Sequence, residues 1–409
     1  MTDTRSVTAQ PKTSESERRY DLDWLRVLLI LVVFVFHCGR FFDTGDWHVK
    51  NPVRHAPVMA WTGFLASWMM PLMFAISGAS IWYALRSRKV GIFIRERALR
   101  LLVPLLIGIF THIAVQVYLE RKSFSGFTGS FFDFYPFYFH GWYGFGGNFA
   151  WSGLHLWYLE MLFIYSVMLL PLFLFLQSGP GNRLLDSFGR IFKTKGAVYL
   201  LALPQMTLAA ALSDKSFWGQ RGFGGWAAPV YVFFLLYGFV FASQEVLERQ
   251  IDRLRRISLW IGGGALLIAL VLWKWHGDPE YGTMRHALAL AMLALGSWCY
   301  VIGLLGVGRR RLMFSNRFVR YANEAVLPFY VLHQTIILLV GYFVVCWAVP
   351  DLIKFVTIGV ISFVLIAGIY EFGIRRFNFM RFLFGMKCFS GTKHPGVTLA
   401  GIFLRKGEV

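Results

Sequence analysis

The chain has 409 residues, of which 56% are hydrophobic, 18% aromatic and only 15% charged, with a formal net charge of +19 and a mean hydropathy of +0.54. Soluble domains average roughly 45–50% apolar and about 25% charged residues, so this composition excludes a water-soluble globule and equally a disordered chain. Four cysteines are too few for a disulfide scaffold or a multi-cysteine metal site, and the basic residues sit in short clusters between apolar runs rather than on one nucleic-acid-binding face.

The expected fold is therefore an all-α polytopic membrane protein. A helix crossing the hydrocarbon needs about 20 mostly apolar residues. That ruler predicts about ten transmembrane helices, near 23–42, 58–85, 98–119, 155–178, 196–213, 226–244, 257–275, 286–307, 322–348 and 353–373. Lys and Arg divide 31 to 10 between alternate connections. That asymmetry predicts both termini in the cytoplasm. The organisation expected is a disordered cytoplasmic tail over 1–21, one transmembrane domain over 22–376 and a basic cytoplasmic tail over 377–409. The apolar run begins only at Leu22 and no small-residue cleavage site follows His37 and Cys38, so no cleavable signal peptide is expected.

Ionisable groups inside spans are costly, which makes them functional candidates. The first span carries Arg26 and His37. Eleven residues at ~1.5 Å each separate the two by roughly 16 Å along the axis, with Arg26 near the cytoplasmic end. The alternatives are a snorkelling anchor for Arg26, helped by Asp23, and an interfacial helix-end histidine for His37. The second span contains Ser77 and Gly78, and Pro71 with Gly78 predicts a kink or break. The link 86–100 is densely basic, with Arg95, Arg97 and Arg100 ahead of Pro104. Guanidinium forks suit phosphates, although the same charge serves sidedness and contact with anionic membrane lipids.

The outer segment 120–153 is rich in aromatics, Trp142 among them. Such rings either stack on sugar faces or form an interfacial belt. The fourth span opens with His155, Trp157 and Glu160. Glu160 falls at about the depth of His37, and a carboxylate beside an imidazole would make a hydrogen-bonded dyad. A structural interhelix bond is the alternative for Glu160. The fifth span is the weakest, interrupted by Pro204, Gln205 and Thr207. His333 lies near the middle of the ninth, beside Gln334 and Thr335, where it needs a polar lining or belongs to a buried hydrogen-bond knot. His37, His155 and His333 come from separate helices without local ligand spacing, so no metal is expected.

Five stretches, in order, carry a resemblance: Asp23-Trp24-Leu25-Arg26 with ten residues before His37; Ser77-Gly78; Arg97-x-x-Arg100 before Pro104; His155-Leu156-Trp157-Tyr158-Leu159; and Tyr321-Ala322-Asn323-Glu324 running into Tyr330-Val331-Leu332-His333. The chain resembles the acyltransferase family 3 membrane enzymes, and within them the glucan biosynthesis protein C branch. The resemblance implies a ten-helix enzyme of the bacterial inner membrane. Its donor would be cytoplasmic acyl-CoA, acetyl or succinyl, and its acceptor a hydroxyl of an extracytoplasmic glycan or lipid-linked sugar. Arg26 and His37 match the family's first-helix pair, and Arg97 and Arg100 its basic motif for the CoA phosphates. Ser77 and Gly78 match the start of a Ser-Gly-Phe-like motif, here followed by alanine.

The mechanism expected is direct transfer with His37 as general base and Glu160 as its partner, with a covalent acyl-histidine intermediate as the alternative. Arg26, Arg95, Arg97 and Arg100 would hold acyl-CoA, and His155, Trp157, Ser77, His333 and Trp142 would contact substrate. Two rival readings stand beside it. A proton-coupled secondary transporter of an anionic solute would use the buried His and Glu as a relay, and a silent membrane scaffold would use none of them.

Overall fold

The computed structural model describes residues 18–194, 196–274 and 277–389; of the expected tails, 1–17 and 390–409 lie outside the described residues. In chain order the helices are α1 Tyr20–Gly39, α2 Ala56–Ser87, α3 Val90–Arg97, α4 Val103–Phe110, α5 His112–Phe124, α6 Phe131–Tyr138, α7 Trp157–Met168 and α8 Leu170–Gln177. They continue with α9 Gly179–Ile191, α10 Ala202–Ala211, α11 Val230–Ser243, α12 Glu245–Lys274, α13 Met284–Arg311, α14 Arg317–Val344, α15 Asp351–Gly368 and α16 Asn378–Leu383. No β-strand occurs among the described residues.

Six helices are long and apolar enough to cross a membrane, and eight spans result if each of two bent pairs counts as one. The third expected span bends by 41° between α4 and α5, and the fourth by 51° between α7 and α8. The first bend falls at Thr111, whose hydroxyl donates to the Ile107 carbonyl at 2.6 Å, a back-bond that bends helices. The second falls just before Pro171, which stands in the first turn of α8. The fifth and sixth expected spans correspond to shorter apolar helices, Ala197–Ala211 and Val230–Ser243.

Lipid exposure follows from the burial pattern. Most of α2 is buried at the centre, whereas α12 and α15 turn apolar side chains such as Leu267, Val271, Val360 and Val364 outward. Such apolar faces suit hydrocarbon rather than water. The expected break in α2 does not form: the helix runs continuously from Ala56 to Ser87. Proline removes only one helical hydrogen bond, and close packing holds the rest. A Cβ on Gly78 would lie 1.9 Å from the Leu235 carbonyl oxygen, and one on Gly238 would lie 1.9 Å from that of Ala75. The small residues thus let α2 and α11 cross backbone to backbone.

Ion pairs gather where α1 begins. Arg19 bonds Asp21, Tyr83 and Glu248, and Glu248 also pairs with Arg309, which ties α1 to α2, α12 and α13. The start of the expected C-terminal tail is helical, because Arg381 on α16 donates to Glu324 at 2.8 Å and docks that helix against α14.

Candidate active site

His37 sits in the last turn of α1. Its Nδ1 lies 2.8 Å from the Val33 carbonyl oxygen and 3.2 Å from Nε2 of His333. His333 Nδ1 lies 2.6 Å from the Tyr330 carbonyl oxygen. A carbonyl only accepts, so in both rings Nδ1 carries the hydrogen and Nε2 the lone pair. The Nδ1–H of His37 is then shared between Val33 and His333. Its own Nε2 has no hydrogen-bond partner among the described residues.

A polar knot holds His333 in place. Gln116 on α5 donates from Nε2 to Thr335 Oγ1 at 2.6 Å and to His155 Nδ1 at 3.2 Å, and its Oε1 accepts from Gln334 at 2.9 Å. His155 Nε2 donates to the Val331 carbonyl at 3.2 Å, and the Tyr330 hydroxyl bonds the His155 carbonyl. The turn carrying His155 is built by Gly153 at φ +72° and by Leu154 at φ +50°, a left-handed conformation that costs a branched residue energy and concentrates at functional sites. The rings of His37 and His155 flank that of His333 at 4.9 and 5.0 Å. Both nitrogens of His155 are committed to protein, so it is a positioning group rather than one open to substrate. Among the described residues no three His, Cys, Asp or Glu side chains form a set able to hold a metal.

The second half of the site lies toward the start of α1. Arg26 donates to Asp23 at 3.1 Å, Asn323 at 3.2 Å and Ser80 at 3.0 Å. Arg97 immediately precedes the π-helical turn Ala98–Leu102 and Arg100 stands within it, a deformation often found at functional positions. Arg97, Arg100 and Arg26 feel one another's charge and sit near the Tyr158 hydroxyl, which bonds Ser77 Oγ at 2.7 Å. Neither Arg97 nor Arg100 has an ion-pair or hydrogen-bond partner among the described residues. The result is a concentration of guanidinium charge that Asp23 beside Arg26 and Glu96 near Arg100 offset only in part.

The scan against known families decides what kind of protein carries this arrangement: the acyltransferase domain matches residues 19–371. The chain belongs to this acyltransferase family. Among its relatives are the proteins named Glucans biosynthesis protein C of Salmonella schwarzengrund, Salmonella typhi and Salmonella typhimurium. Each is 25% identical over 393 residues, covering 90% of this chain and 95% of the relative. No solved structure matches significantly. The protein is thus an acyl-transferring enzyme of the membrane.

In this acyltransferase several expected site residues stand away from His37. Glu160 makes no hydrogen bond or ion pair among the described residues, and its Oε2 is buried without a partner. The dyad with His37 does not form, and His333 takes the place expected of the carboxylate. Equal depth leaves azimuth free: five residues at 100° each put Glu160 about 140° round the helix from His155. Ser77 joins the arginines rather than His37. Arg95 is exposed and stands apart from the arginine cluster, two residues and about 200° from Arg97 on α3. Trp157 is buried in an aromatic cluster with Tyr231 at 5.3 Å and Phe223 at 5.5 Å, where it packs the core. Trp142 keeps an exposed ring.

Two neighbours of His37 escape a reading of the sequence. The Trp47 ring lies 6.1 Å from it. His48 bonds Glu120, which also accepts from Tyr143 at 2.7 Å and Arg121 at 3.1 Å. The adjacent acidic-basic pair Glu120-Arg121 at a helix end was the available signal, and it reads equally as surface charge.

Proposed function

We propose that the protein is an O-acyltransferase of the bacterial inner membrane that moves an acetyl or succinyl group from cytoplasmic acyl-CoA to a hydroxyl of an extracytoplasmic glycan or glycolipid. The 31-to-10 division of Lys and Arg supports a cytoplasmic arginine cluster and cytoplasmic termini. Arg97 and Arg100, with Arg26, bind the donor's phosphates through charge-assisted bonds. The name of the relatives, Glucans biosynthesis protein C, favours a glucan acceptor.

The observation that carries the reading is the fixed tautomer of His37. Nδ1–H is spent on Val33 and His333, so Nε2 is the basic atom. The acceptor hydroxyl oxygen attacks the thioester carbonyl carbon while its proton passes to Nε2. The Val33 carbonyl and the His333 lone pair stabilise the resulting imidazolium. Collapse of the tetrahedral intermediate breaks the C–S bond, and the proton goes to the departing thiolate, giving an ester and free CoA. A positioned general base contributes ~10²–10⁴-fold in rate.

The test is CoA release by the protein in nanodiscs, with acetyl-CoA or succinyl-CoA, with and without a periplasmic glucan. Release that requires both the glucan and His37 is expected. Transfer by His37→Ala at near wild-type rate would falsify the mechanism.

A further inference from the structure

Beyond His37, α1 ends and the chain turns through a loop whose His48 is almost buried, its side chain 10% exposed. His48 Nδ1 bonds Glu120 Oε2. That carboxyl group also accepts the Tyr143 hydroxyl at 2.7 Å and an Arg121 guanidinium N–H at 3.1 Å. Three donors, one of them cationic, favour an ionised carboxylate, and a carboxylate fixes the hydrogen of the neutral ring on Nδ1. The lone pair of His48 is therefore on Nε2. That atom has no hydrogen-bond partner among the described residues and is not one of the buried, unpartnered polar atoms, so a ligand atom can reach it.

Position gives this second lone pair a direction. The Trp47 ring neighbours both imidazoles, 6.1 Å from His37 and 6.0 Å from His48. Tyr143 stands 6.4 Å from the His48 ring, its hydroxyl on the same Glu120. Arg26 lies eleven residues before His37 on α1, and His48 lies eleven residues after it. His48 thus lies beyond the end of α1 that carries His37, whereas Arg26 lies toward its start. A lone-pair acceptor between aromatic rings suits the hydroxyls and apolar faces of a neutral carbohydrate.

We propose that His48, oriented by Glu120 and walled by Trp47 and Tyr143, is the subsite that holds the acyl acceptor. Its Nε2 accepts a hydrogen bond from a sugar hydroxyl close to the one His37 deprotonates. The inference rests on the reading of a carbohydrate acceptor and assigns His48 a binding role, with no bond made or broken there.

Binding tests it independently of turnover. A gluco-oligosaccharide is titrated against the full-length protein in nanodiscs, and CoA is titrated separately. His48→Ala and the milder His48→Gln and Glu120→Gln are compared with the parent. His48→Ala and Glu120→Gln are expected to weaken oligosaccharide binding about tenfold, the worth of one hydrogen bond in a desolvated site, while the affinity for CoA is retained. His48→Gln, which restores an acceptor oxygen, recovers part of the loss. Oligosaccharide affinity that is unchanged in the variants, or absent in the parent, overturns the proposal. So does equal loss of CoA and oligosaccharide binding, which makes the pair a structural tie between the loop and α5. Absence of transfer in a parent that binds the sugar through His48 would instead sink the acyltransfer mechanism and leave the subsite standing.

Discussion

Nδ1 of His37 stands 3.2 Å from Nε2 of His333, although 296 positions separate the residues in the chain. The contact exists because α14 packs along α1 and because Tyr330, one turn earlier, holds the hydrogen on Nδ1 of His333. His333 therefore presents a lone pair to His37 and cannot itself receive a substrate proton at Nδ1. It acts through His37.

Replacing His333 by Phe should lower kcat about 10–100-fold. The hydrogen bond lost is one made to a group that becomes charged in the transition state, worth about 1.5–3 kcal/mol. Because both ring nitrogens of His333 are engaged by protein, KM for acyl-CoA should change little. His37→Ala should lose more, ~10²–10⁴-fold. Steady-state CoA release resolves the two, and a His333→Phe protein that loses donor affinity and keeps kcat contradicts the assignment.

Glu160→Gln should leave kcat within about threefold of the parent. The Glu160 carboxyl group has no hydrogen-bond partner among the described residues and one fully buried oxygen, so neutralising it removes no contact that the histidines use. Thermal unfolding should move little, or upward, since an unpaired buried polar group costs stability. A drop in kcat comparable with that of His37→Ala would restore Glu160 to the chemistry.

Position along each helix was readable from the sequence, and azimuth was not. Apolar length placed His37, Glu160 and His333 along their helices, but which face each presents depends on where a helix starts and bends. His155 leaves the chain from a left-handed turn at Gly153 and Leu154, a local geometry that no apolar period announces. The same limit explains Arg95 and Arg97, which share one basic run yet point to opposite sides of α3. The bends at Thr111 and before Pro171 interrupt apolar runs that look continuous in composition, while Pro71 sits in a helix that runs on unbroken where α11 packs against it. His48 and Glu120 are 72 positions apart, and only the tertiary fold makes them a pair.

Gly78→Ala and Gly238→Ala should each destabilise the protein by about 1–3 kcal/mol, the usual cost of overpacking. Each added Cβ would press within 1.9 Å of a backbone oxygen on the other helix, and backbone has no rotamer to retreat into. The double variant should cost less than the sum, since one separation of α2 from α11 relieves both contacts. Melting in detergent measures all three. Full additivity would mean that the helices do not share this crossing.

The arginines give the sharpest contrast between neighbours. Arg97→Gln and Arg100→Gln should each raise KM for acyl-CoA about 10–100-fold, because each removes a charge-assisted bond to phosphate worth about 1.5–3 kcal/mol. Arg95→Gln should leave KM within about twofold, since two residues turn it about 200° round α3 from Arg97, off the cluster. Added salt should weaken donor binding in the parent and less so in the Arg97 and Arg100 variants, whose electrostatic contribution is already reduced. Acyl-CoA titrations at two ionic strengths separate the three residues. Equal effects at all three positions would mean that general positive charge on this face, rather than the geometry around the π-helical turn, attracts the donor.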